Sequence, residues 1–362
     1  MLLFRPAIIT AALALLGTFA GTPAQASLTH FQQSRPTYGG SYGSSANTYA
    51  SNTGHSVDRL GRALYIATDR GNLATIQALL KQGADPSYRE PKRGNEPVLL
   101  RALTTGRADI VSLLLSYRAN PDALDGRGTP ILVSAATLVG EQPDEETPDP
   151  RATEFEQQPN TLRSHRAELP ILSKRAARLR SERIIDAIQV LLEQGHANAN
   201  ASDTAYIGDD RAALHIAAAS GSLRLVRLLL KFQADPNRPN RHDETPIFFA
   251  AEKGHADIAY ELMQWRARID LHSRHTHMTP LMVAAESGQP RVVKLLLYFK
   301  SDLNSRNTFG KTSLDLARAA YTKNTSLPER PRFARVVRLI EKAMGVVISG
   351  TGRGYAGSDP AS

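Results

Sequence analysis

Residues 212–237 read AALHIAAASGSLRLVRLLLKFQADPN, residues 245–270 read TPIFFAAEKGHADIAYELMQWRARID, and residues 279–304 read TPLMVAAESGQPRVVKLLLYFKSDLN. Each copy runs from a short apolar stretch with an Ala-Ala pair to a glycine, then a leucine-rich turn, then a polar break. The copies open at Ala212, Thr245 and Thr279, and Thr312 opens another. The spacings are 245−212 = 33, 279−245 = 34 and 312−279 = 33. Upstream, Arg62, Glu96 and Thr129 hold the same slot, with 96−62 = 34 and 129−96 = 33. Such a period marks units too small to bury their own apolar faces, which must therefore stack.

The residue types explain the unit. Thr245-Pro246 suits a helix start, with Thr as the capping side chain and Pro at the first helical position. Ala250 and Ala251 keep that helix slim. Gly71, Gly106, Gly221, Gly254 and Gly288 follow the first helices, where a left-handed residue ends them cheaply. The second helix carries the bulk in Leu225, Val226, Leu228, Leu229 and Leu230, and Asp235-Pro236-Asn237 breaks it.

This length and order of parts resembles the ankyrin repeat. The resemblance implies an all-α solenoid of about seven helix-turn-helix units with short inter-repeat β-turns, over residues 58–345. It also implies a non-enzymatic surface that binds protein partners through the turn tips and the concave face of the first helices. The matching tip positions are Arg127, Arg241, His242, Arg274, His275, His277 and Phe309. His215 occupies the slot of the family's structural histidine, which ties adjacent turns together.

Two units depart from the pattern. The third is interrupted by a charged insert over 137–180, with a helix expected from about Pro170 and the unit's second helix resuming near Ser181. The insert is acidic from Glu141 to Glu156 and basic from Arg163 to Arg183. A loop this long in an array is functional or lacks a fixed fold, and its two halves have the charges to pair with each other. The seventh unit is interrupted at Tyr321–Pro331, with a second helix expected over Phe333–Met344 and polar Arg335, Arg338, Glu341 and Lys342 facing water as a cap.

The first 26 residues combine Arg5, an apolar run from Ala7 to Ala20 and Ala24-Gln-Ala26, the pattern of a signal peptide cut before Ser27. The apolar run is short of the ~20 residues of a spanning helix, so no transmembrane segment is expected after signal removal. Residues 27–57 read as a flexible Gly/Ser/Tyr-rich tether and 346–362 as a flexible tail. The chain contains no cysteine and carries a formal net charge of +9. These features fit a periplasmic or secreted protein without disulfides, expected as a monomer. In that setting the partner of a basic surface is an acidic protein, with no nucleic acid. Other readings are an envelope-protective binder of anionic polymer or metal ions, and a host-directed secreted effector.

Motifs of catalysis are weak. Gly352–Gly357 matches a dinucleotide string, but only five residues follow it. Ser305–Thr312 imitates a phosphate loop without its first glycine. His242, His272, His275 and His277 fall in neighbouring turns, yet they have no fixed ligand spacing, so no metal or cofactor is assigned. A final pattern is a ladder. Tyr117, Phe232, Trp265 and Phe299 close successive second helices, and Arg118, Gln233, Arg266 and Lys300 follow in the slot where the family usually has glycine. The rings serve as packing at helix ends, or with Arg118, Arg266 and Lys300 they form a second binding surface.

Overall fold

The computed structural model of the protein describes residues 51–140, 164–204, 209–323 and 330–345. The expected signal peptide, nearly all of the tether, the acidic half of the insert and the tail lie outside them. The described chain is a helical solenoid in which odd-numbered first helices and even-numbered second helices alternate. The units are α1 (Ser51–Asp69) with α2 (Leu73–Lys81), α3 (Val98–Thr105) with α4 (Ala108–Ser116), and α5 (Ile131–Ala136) with the distal part of α6 (Ser164–Gly195). Then come α7 (Ala213–Ala219) with α8 (Leu223–Lys231), α9 (Pro246–Lys253) with α10 (Ala256–Gln264), α11 (Pro280–Glu286) with α12 (Pro290–Tyr298), and α13 (Ser313–Lys323) with α14 (Arg330–Ala343). A short antiparallel pair, β1 (Arg89–Glu90) and β2 (Glu96–Pro97), forms the first hairpin between units.

The core is one continuous seam along the stack. Ala250 and Ala251 on a first helix, and Leu225 and Leu229 on a second, are fully buried. Small residues let the first helices approach, so α9 packs between α7 and α11 while α10 lies between α8 and α12. The glycines after the first helices carry the expected left-handed backbone. Gly221, at φ +73°, is also crowded, because a Cβ there would lie 2.7 Å from the His255 ring.

Successive units are also laced by side chains. Asn237 donates through Nδ2 to the Arg266 carbonyl at 3.1 Å and accepts from the Arg268 N–H at 2.7 Å. Asn200 does the same one unit earlier, to the Gln233 carbonyl at 3.0 Å and from the Asp235 N–H at 2.7 Å. His215 is fully buried, and its Nε2–H reaches the carbonyls of Arg238 at 3.0 Å and Glu244 at 3.3 Å. The turn-tying role implied for this residue is therefore present.

Four details differ from the sequence reading. Helix α1 begins at Ser51, ahead of Asp58. Thr245 does not cap α9: its hydroxyl has no partner, and the Phe248 N–H goes to the Thr245 main-chain carbonyl at 3.0 Å. The insert's helix does not stop before the third unit resumes, since α6 runs unbroken from Ser164 to Gly195. Residues 175–180 stand exposed, and burial sets in at Ser181. In the seventh unit α13 continues past Tyr321 to Lys323, and Glu341 is drawn into an ion pair with Arg318 at 2.6 Å instead of facing water.

Candidate functional site

Several turn tips are each built on one small polar side chain. The Asn240 carbonyl oxygen, Oδ1, accepts the N–H groups of His242 at 2.9 Å and Glu244 at 2.8 Å. Asn307 repeats this with Phe309 at 3.0 Å and Lys311 at 2.9 Å. Asp125 takes Arg127 at 2.8 Å and Thr129 at 2.9 Å. Burial raises the pKa of the Asp125 carboxyl, but these donors outweigh it and hold the group below its ordinary value. The slot was missed in the sequence, although Asn240, Ser273 and Asn307 recur at 33 and 34 residues.

The tips then bond to one another. The Arg241 N–H donates to the Asp209 carbonyl at 2.9 Å, Arg274 to His242 at 2.7 Å, and Thr308 to Thr276 at 3.0 Å. This chain of backbone bonds fixes the tips of the fourth to seventh units as one row. Arg241, His242, Arg274, His275 and His277 are all exposed on it, and Phe309 is 77% exposed at its end. Arg127 lies on a separate tip, between the second and third units.

Charge along the row is largely matched locally. Arg274 forms a two-pronged pair with Asp243 on the preceding tip, both contacts at 2.9 Å, which holds the Asp243 carboxyl below its ordinary pKa. Arg127 sits 3.6 Å from Asp125, Arg211 sits 2.9 Å from Asp209, and His242 Nε2 lies 3.7 Å from Asp209. The His242 and His275 rings meet edge to face at 5.7 Å, and His272 lies 6.2 Å from His277. Among the described residues no group of three His, Asp or Glu side chains converges to hold a metal ion.

The ladder stands elsewhere, at the ends of the second helices. Tyr117, Phe232, Trp265 and Phe299 each close a helix. Arg118, Gln233, Arg266 and Lys300 follow in the left-handed region, at φ 68°, 63°, 64° and 63°. Tyr117 and Phe232 are half-buried against the core, as packing rings would be, while Phe299 is half-buried against Tyr260 and Tyr298. Trp265, at 47% exposure, is not.

Residues 175–273 match a family described as ankyrin repeats (3 copies), and residues 266–317 match ankyrin repeats (many copies). Residues 175–317 carry ankyrin repeats. Similar proteins include a Transient receptor potential cation channel subfamily A member 1 homolog of Caenorhabditis elegans, 31% identical over 30% of this chain and 9% of its own length. The Ankyrin repeat and SOCS box protein 16 of Homo sapiens is 32% identical over 36% of this chain and 28% of its own. The E3 ubiquitin-protein ligase XB3 of Oryza sativa subsp. japonica is 35% identical over 24% of this chain and 18% of its own. The chain thus spans less than a third of each of these relatives.

Proposed function

We propose that this ankyrin-repeat chain is a non-enzymatic scaffold of the bacterial envelope or exported space. In this reading it binds an acidic protein partner on the turn tips of its fourth to seventh units and the adjoining concave face. The observation that carries the reading is the tip row. Backbone bonds from tip to tip preorganise the exposed Arg241, His242, Arg274, His275, His277 and Phe309, so docking requires little further ordering of the receptor. The net charge of +9 supports an acidic partner, and the Met1–Ala26 pattern supports export.

A photo-crosslinking residue at Phe309 of the mature chain tests this. The expected result is one stoichiometric acidic protein, released by salt and lost in the Arg241→Glu/Arg274→Glu variant. Crosslinking that persists undiminished in that variant would refute the tip assignment. N-terminal sequencing of the osmotically released protein should begin at Ser27; an intact Met1 would refute export.

A further inference from the structure

The outer side of α10 and the C-terminal end of α12 carry aromatic side chains that the core does not absorb. Tyr298 is 81% exposed, Tyr260 48% and Trp265 47%. Tyr298 meets Phe299 at 5.4 Å and 82°, and Tyr260 meets Phe299 at 6.4 Å and 58°. The rings are tilted against one another, which makes a wedge with gaps for side chains rather than the flat platform that stacks on a sugar ring.

The cations beside this wedge differ from those of the tips. Among the described residues Arg266, Lys294 and Lys300 make no ion pair, and the adjacent carboxylate, Glu261, is taken by Arg227 at 2.9 Å. The tip arginines Arg127, Arg211 and Arg274 are already matched. Arg266 and Lys300 also occupy left-handed positions that Gly83, at φ 88°, fills in the first unit without steric penalty. An outside carboxylate therefore finds available charge here, next to exposed apolar surface.

We infer that the outer side of α10 and the C-terminal end of α12 form a second docking surface, distinct from the tip row, for an acidic peptide segment bearing aromatic or long aliphatic side chains. Its rings enter the wedge of Tyr260, Tyr298 and Phe299, and its carboxylates face Arg266 and Lys300. Charge complementarity selects the acidic partner, and the tilted rings select a polypeptide over a polysaccharide.

Trp265 is the single tryptophan of the chain, stands exposed and directly precedes Arg266, so its emission reports occupancy. The mature protein is titrated with a short synthetic peptide alternating Glu with Phe and Leu. Parallel arms use the same peptide with Lys for Glu, polyglutamate of equal length, and alginate as an anionic polysaccharide. The expected result is saturable quenching by the Glu/Phe/Leu peptide, none by the Lys peptide, and binding about tenfold weaker by polyglutamate.

Arg266→Gly/Lys300→Gly removes both charges while relieving the left-handed backbone. It should weaken peptide binding about tenfold with an unchanged or raised melting temperature, so that the loss cannot be assigned to unfolding. Arg241→Glu/Arg274→Glu should leave this binding intact, which separates the surface from the tip reading. Equal binding of polyglutamate or alginate would overturn the inference. So would peptide affinity unchanged in the glycine variant, or dimerisation of the protein abolished by Tyr298→Ser, which would make a second copy the occupant.

Discussion

The Nε2–H of His215 donates to the Arg238 carbonyl at 3.0 Å, while the Ala212 N–H donates to its Nδ1 at 3.1 Å. The second bond requires the neutral ring, because a protonated Nδ1 has no lone pair to accept the Ala212 N–H. Burial lowers its pKa to about 4, against an ordinary 6.5, although the carbonyls of Glu244 and Arg238 pull the other way. The unfolded chain therefore binds a proton that the folded chain refuses. The contribution is complete above pH 6.5 and is lost as pH falls toward 4, by about 3 kcal/mol in all. Urea midpoints measured from pH 7.5 to 4.5 should fall in the parent protein. In His215→Gln they should start lower and fall less over the same range.

Leu229 is fully buried in α8, in the middle of the stack. Leu229→Ala should destabilise the array by about 2–5 kcal/mol, since the neighbouring helices cannot collapse fully into the cavity. Denaturant unfolding measures this, and an unshifted midpoint would contradict the packing described above.

Gly221 is constrained twice, by its φ of +73° and by the His255 ring. Gly221→Ala should cost about 1–3 kcal/mol. Adding His255→Ala should recover only the steric part, because the left-handed backbone remains. A double-mutant cycle on thermal stability separates the two.

Replacing residues 141–174 with a short Gly/Ser linker should leave one cooperative transition. The helical residues next to the cut, 175–180, are exposed, and loop length changes closure entropy slowly, so the shift should stay within about 1 kcal/mol. Loss of cooperativity on calorimetry would show that the insert is part of the core.

The repeat period made the helix pairs legible because apolar spacing and left-handed glycines are local properties, visible in 212–237 alone. The insert's join to α6 was not legible, because helical spacing runs through Ser181 without a stop residue to mark where burial begins. Thr245 read as a cap on residue type, yet a main-chain carbonyl took the role of its hydroxyl. At the candidate surfaces the positions were legible and their charge state was not. Asp243 and Arg274 lie 31 residues apart, and only the bond between Arg274 N–H and His242 brings them side by side. The shared place of the ladder residues at successive helix ends followed from their period. The exposure of Trp265 against the half-burial of Phe299 depends on the neighbours each meets, which one sequence does not reveal.

Helix α6 carries the exposed residues 175–180 straight into the interior of the array. Its distal half packs on α4 and α8, between two units on one side and four on the other. In a solenoid each unit touches only its neighbours, so the third unit alone couples the two blocks. A molecule that grips the exposed residues 175–180 therefore pulls on the one unit through which the two blocks are joined.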